Sequence, residues 1–258
     1  MVPDHTRKVP TAAILEAVWA KLSRVVSPGD VTVLIATGTH RSPRPHEISR
    51  ILGEFTDLFR VVVHDAEGKT VRVGTTSSGT PVDVNPELAE ADRIITIGHI
   101  GMHYFAGYSG GPKMILPGAA GAETIRKNHE KIVDPKAYAC VYEENPIHRE
   151  MREAAAMVGV WAIVDAVLSG DGVPLRFFIG DPPGAHRDGT RFWDELFQVE
   201  VPERADFVIT SPGGYPKDIN LYQAHKAIFN AARATKDGGM VLLVAECRDG
   251  IGHSVFAD

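Results

Sequence analysis

His103, Lys113 and His129 are strung along one segment, Gly101–His129, which reads GMHYFAGYSGGPKMILPGAAGAETIRKNH. The same segment contains Gly107, Gly110, Gly111, Gly118 and Gly121. Glycine at that density lets main chain approach a bound group closely and point N–H donors at it. A histidine titrates near neutrality, so it can pass a proton or ligate a metal. A lysine that loses its proton through desolvation becomes a nucleophile. Tyr104, Phe105, Tyr108, Met114, Ile115 and Leu116 are woven through the glycines, which predicts a packed loop. A mobile glycine-rich surface loop is the alternative that residue types alone leave open.

Other candidates lie outside this segment. His40 follows the apolar run Val31–Ala36 and the turn Thr37-Gly38-Thr39, and His103 follows the run Arg93–Gly98. Two such histidines suit paired proton transfer, one on each face of a reacting carbon. By type alone, two loop histidines are more often metal ligands or plain polar surface. Tyr222 and Lys226, at i and i+4, share one helix face, where a phenol and an ammonium could receive a carboxylate or the ring could simply cover the lysine stem. Gln223 stands between them. Ser211-Pro212-Gly213-Gly214 could turn backbone N–H groups toward an anion, a weak signal in isolation.

The elements that must position these residues alternate in type. Thr11–Val26 has helical apolar spacing with Thr11 as a candidate N-cap. Val31–Ala36 is strand, Pro45–Phe55 helix, Val61–His64 strand, and Arg93–Gly98 a buried strand feeding the glycine-rich loop, whose far end is helical from Ala122. Ile147–Val158 predicts an amphipathic helix and Trp161–Leu168 a strand. Phe207–Thr210, a helix over Leu221–Thr235, and Met240–Ala245 repeat the theme. Such alternation predicts an α/β fold, a mainly parallel sheet domain with helices on both faces plus a smaller, shortened second α/β domain. Residues 1–200 form the first domain and 201–258 the second, with Gln198–Ala205 as the hinge. His40, His103 and Gly213-Gly214 all fall after strands, where open α/β sheets bind their ligands.

Composition narrows the classes. With 44% apolar and 23% charged residues, 258 residues can bury a sizeable core. A net charge of −6 argues against a nucleic-acid surface. It also requires local positive charge, from Arg7, Arg41, Lys113 or Lys226, to attract an anionic substrate. No apolar run approaches a membrane span and the first residues lack a signal-peptide core. Cys140 and Cys247 form no CxxC pair or disulfide framework, so the expected compartment is the cytoplasm.

Taken in order, Asp4-His5-Thr6-Arg7, Ala36-Thr37-Gly38-Thr39-His40-Arg41, the Gly101–His129 block, Ser211-Pro212-Gly213-Gly214-Tyr215-Pro216 and Asn220-Leu221-Tyr222-Gln223-Ala224-His225-Lys226 closely resemble the nickel-pincer lactate racemase family. The resemblance covers nearly the whole chain. It implies a 2-hydroxyacid racemase or epimerase using nickel and pyridinium-3,5-bisthiocarboxylic acid mononucleotide, supplied by cofactor-maturation enzymes. It further implies that His40 and His103 are the paired acid–base catalysts, that Lys113 is the covalent attachment point, and that His129 is the nickel ligand. Arg7, Gly110, Gly111, Gly213 and Gly214 would line the cofactor. Arg7, Tyr222, Gln223 and Lys226 would hold the substrate carboxylate, with Asp4 orienting Arg7. Two positions depart from the family pattern: Pro112 stands where arginine is frequent, and Lys8 where proline usually follows. Family members extend beyond both ends of these motifs, so the chain is expected to be a trimmed or minimal member whose first residues fray. Two rival readings stand beside it. One is a metal-dependent hydrolase ligating through His40, His103 and His129, and the other a non-catalytic fragment that binds nucleotide or metal.

Overall fold

Short β-branched runs bounded by Gly, Pro and Asp become strands, and the periodic segments between them become helices. The computed structural model describes residues 1–215 and 217–252, and the chain divides into two units, Met1–Phe197 and Gln198–Asp258. In the first unit β1 (Val2–Pro3) is followed by α1 (Thr11–Leu22), β2 (Thr32–Ala36), α2 (Pro45–Leu52), α3 (Phe55–Leu58) and β3 (Arg60–Val63). A hairpin of β4 (Val71–Thr75) and β5 (Pro81–Val84) leads through α4 (Pro86–Glu90) into β6 (Ile94–Ile100). The small pair β7 (Met102–His103) and β8 (Gly107–Tyr108) then precedes a 3₁₀ turn, Gly111–Met114. After it come α5 (Ala122–His129), α6 (Pro146–Met157), β9 (Val160–Leu168), β10 (Pro174–Gly180) and α7 (Pro182–Phe197).

β1, β2 and β3 pair in parallel with β2 central, β6 and β9 pair in parallel, and β10 closes the far edge antiparallel to β9. The Ile97 N–H donates to the Met1 carbonyl at 2.9 Å and the Met1 nitrogen to the Ile95 carbonyl at 2.7 Å, which lays the two three-stranded sheets side by side. Successive strand residues face opposite sides, and β2 shows both. Val33 and Ile35 pack with Ile14 and Leu15 of α1, Ile51 and Leu52 of α2, and Phe55. Leu34 packs on the other side with Ile147 and Met151 of α6 and with Ile115 and Leu116. Helices therefore cover both faces, as expected for an α/β chain.

Several local expectations are corrected. Thr11 is the first helical residue and not the cap: Pro10 occupies that position, and no side chain caps the helix. The helix expected over Pro45–Phe55 is interrupted at Gly53, whose φ of +59° ends α2 before α3 begins. The first residues do not fray, because Val2 and Pro3 are in register with Ile35 and Ala36.

The second unit holds β11 (Ala205–Thr210), α8 (Leu221–Ala224), α9 (Lys226–Ala234) and β12 (Thr235–Leu243), with β11 and β12 parallel. The single helix expected over Leu221–Thr235 is divided at His225, and Thr235 already begins β12. Pro216 of the SPGGYP motif and residues 253–258 of the second domain lie outside the described residues.

One buried charge ties the β4–β5 turn to the C-terminal end of α5. The Glu150 side chain is fully buried on α6, where it accepts from Thr76 and Ser78 hydroxyls and from Asn128 Nδ2, and pairs with Lys131 Nζ at 3.1 Å. Burial alone would raise its pKa, but bonds from Ser78, Thr80, Asn128 and Thr76 hold it down to about 2. A depressed folded pKa contributes stability that is fully present above the ordinary value of 4.5 and lost as pH falls toward 2. Glu150→Leu, which strands Lys131 and Asn128, should cost about 3–5 kcal/mol. Urea unfolding should show the gap between native and Glu150→Gln protein constant above about pH 5 and narrowing below it. A gap independent of pH would contradict this account.

Candidate active site

The ends of β1 and β2 bring two of the motifs together. Thr37 Oγ1 donates to the His64 carbonyl at 2.7 Å and the His40 N–H closes onto Thr37 O at 3.0 Å, fixing the turn that carries His40. His40 Nδ1 lies 2.7 Å from Oδ2 of Asp4, which is buried. Burial would raise the Asp4 pKa, but the His40 bond and charge, Thr6 and the Arg7 charge together hold it below the ordinary carboxylate value. An ionised carboxylate on Nδ1 fixes the proton there and leaves Nε2 as the basic nitrogen. The Asp4 carboxylate thus engages His40 and Thr6 and acts on Arg7 only through charge, while the Arg7 N–H separately donates to the Asp4 backbone carbonyl at 3.2 Å. Arg41, one of the four cations expected to attract anions, forks onto both Glu47 oxygens at 2.7 Å, so its charge is offset inside the protein.

The other cluster is organised by Phe105. His103 and His129 meet this buried ring edge-on, with centroids at 4.6 and 5.0 Å. The Ala106 N–H donates to His103 Nδ1 at 3.2 Å, so the neutral ring carries its proton on Nε2. His40 and His103 are therefore held in opposite tautomers, the first with a basic Nε2 and the second with a protonated one. Lys113 lies on the 3₁₀ turn, its N–H on Gly110 O at 3.0 Å. Gly118 N–H returns to Lys113 O, and Gly38 N–H bonds Gly118 O at 3.0 Å, which ties the lysine loop to the turn holding His40.

Burial, then the Lys113 charge, pushes His129 down to about 4. Its Nδ1 is buried without a hydrogen-bond partner among the described residues. A neutral imidazole with an unpartnered nitrogen beside a lysine fits a metal held jointly by the protein and a lysine-bound group. Among the described residues, no three His, Cys, Asp or Glu side chains gather as a metal site. The rival ligand set of His40, His103 and His129 is therefore not assembled by this fold.

Two residues escaped the sequence reading. His99, on β6, is pushed down to about 3 by burial and by the charges of Arg7 and Lys113, which makes it a third neutral imidazole in the field of those cations. The strand was expected to end at Gly98; following its apolar run to Ile100 would have put His99 at the ligand end. Asp165 lies in an apolar strand, and a lone acid there was the available signal. In the second unit, Lys226 Nζ donates to Gln223 Oε1 at 2.7 Å, while Gly213 and Gly214 form an exposed turn at φ +91° and +77°.

A mainly parallel α/β sheet with an Asp–His pair, a lysine turn and half-buried histidines near its strand ends defines a candidate ligand site on a doubly covered α/β fold. Residues 1–139 match the family model described as lactate racemase N-terminal domain, and 201–258 match lactate racemase C-terminal domain. The chain belongs to the lactate racemase family. It is 38% identical to the lactate racemase of Thermoanaerobacterium thermosaccharolyticum and 37% to that of Lactiplantibacillus plantarum, each over 98% of this chain and 60% and 61% of the relative. The apoprotein structure of the former superposes with a TM-score of 0.95 over 98% of this chain and 62% of that one. A Thermotoga maritima protein, 21% identical over 85% of this chain and 60% of its own, shares the fold at a TM-score of 0.71. The chain thus spans about three fifths of the length of these curated relatives.

Proposed function

We propose that this chain is the catalytic portion of a racemase or epimerase acting on small 2-hydroxy acids of the lactate type, with a nickel-pincer nucleotide as its group. The observation that carries this reading is the pairing of His40 with an ionised Asp4, on a turn tied to the Lys113 loop. Lys113 would hold the group covalently and His129 would ligate its nickel through the unpartnered Nδ1. When bound, the group supplies a reversible hydride acceptor. His40, set as a base at Nε2, takes the hydroxyl proton of one enantiomer, and His103 serves the hydroxyl of the other. Arg7, with Gly110 and Gly111, supplies positive charge and N–H donors, and Tyr222, Gln223 and Lys226 form the carboxylate receptor of the second unit. Gly213 and Gly214 offer further backbone donors. The reading implies cofactor-maturation enzymes as partners and the cytoplasm as compartment. No described helix is long and apolar enough to cross a membrane.

The test is to produce the chain together with those maturation enzymes and follow each pure lactate enantiomer by chiral chromatography. Conversion of either into the mixture is expected, and a nickel-loaded protein that leaves both unchanged would refute the reading. His129→Ala should lose the metal while keeping the organic adduct. Unchanged nickel-to-protein stoichiometry in that variant would assign the ligand elsewhere.

A further inference from the structure

Asp165 is wholly buried near the middle of β9. Its Oδ2 accepts the Gly111 N–H at 2.6 Å, and its Oδ1 has no hydrogen-bond partner among the described residues. Parallel pairing sets Asp165 against Gly98 of β6. A Cβ on Gly98 would stand 2.6 Å from Oδ1, and one on Gly110 would stand 2.8 Å from Oδ2. Two bare backbone positions and one N–H therefore form a slot shaped around a carboxyl group.

That slot opens onto the tether turn. Gly110 has φ +77° and Gly111 +48°, and the Lys113 N–H bonds back to Gly110 O. The left-handed pair permits the turn, and the Asp165 bond selects one arrangement of it. We propose that Asp165 is a positioning residue for Lys113: by holding the Gly111 N–H it sets the 3₁₀ turn that aims the lysine at the group it carries. The inference rests on Lys113 being the attachment point.

The chemistry of the slot requires an acceptor more than a charge. Burial pushes Asp165 up to about 7, opposed by the Gly111 bond, so much of it is a neutral acid at neutral pH. An amide has the same shape and keeps a carbonyl oxygen for Gly111. An apolar side chain instead leaves that N–H buried and unpaired, a loss large enough to shift a turn.

The test compares Asp165→Asn with Asp165→Leu, and with Asp165→Ala should the leucine variant not fold. Chains without cofactor are treated with a limiting amine-acylating ester, and peptide mapping gives the ratio of Lys113 to Lys127 modification. Covalent loading by the maturation enzymes is read by intact mass, and melting temperature reports the fold. Asp165→Asn should keep the native ratio and loading. Asp165→Leu or Asp165→Ala, while still folded, should change the ratio and slow loading about 10-fold or more. Native ratio and loading in a folded apolar variant would overturn the proposal, as would equal loss in Asp165→Asn. Should the wild-type chain fail to load at all, the reading of Lys113 fails, while the acylation ratio still decides whether Asp165 sets the turn.

Discussion

Lys113→Ala should abolish covalent loading entirely while leaving the protein folded. The turn is held by backbone bonds, from Lys113 N–H to Gly110 O and from Gly118 N–H to Lys113 O, and by Asp165 beneath it. None of these uses the lysine side chain, which is partly exposed. Truncating it should shift stability by about 0.5 kcal/mol or less. Lys113→Arg separates the two roles of the residue, because it keeps the positive charge that adds to burial in depressing His129 and His99 but cannot be acylated in the same way. Both variants should show the unmodified mass after production with the maturation enzymes. An adduct retained in Lys113→Ala would disprove the assignment.

The elements that bury apolar residues were legible in the sequence. Val31–Ala36 and Trp161–Leu168 became strands to within a residue, because a β-branched run between turn residues has few alternatives. The hairpin of β4 and β5 and the edge strand β10 were not foreseen, since exposed faces break the apolar pattern that marks a strand. Arg72, Arg176 and Phe177 are all exposed. At the candidate site, residue type was enough to single out His40, His103, Lys113 and His129. Residues that act by position were hidden. His99 and Asp165 lie within strands, and only the folded chain puts His99 in the field of Arg7 and Lys113 and Asp165 on the Gly111 N–H of the lysine turn. The opposite tautomers of His40 and His103 were equally invisible, because they depend on Asp4 and the Ala106 N–H, neither adjacent to the histidine it sets.

Removing His40 or His103 should slow racemisation of lactate in both directions, since a full turnover needs a proton acceptor for one enantiomer and a donor for the other. The loss of a general base typically costs about 10²–10⁴-fold, and either His→Ala change should fall in that range. The first half of the reaction should separate them. A single turnover from each pure enantiomer, quenched and assayed for the 2-oxo acid, asks only whether that enantiomer's hydroxyl finds a base. His40→Ala should lose this burst with one enantiomer and keep it with the other, and His103→Ala should do the reverse. The tautomers add an asymmetry to the native protein. Asp4 leaves His40 Nε2 ready to accept, whereas the Ala106 N–H keeps the proton on His103 Nε2. The enantiomer served by His40 should therefore give the faster native burst. Asp4→Asn, which can present an amide N–H to His40 Nδ1 and so put the proton on Nε2, should slow that same burst selectively. Equal impairment of the same enantiomer by His40→Ala and His103→Ala would show that they do not work on opposite faces, and that one of the two histidines holds structure instead.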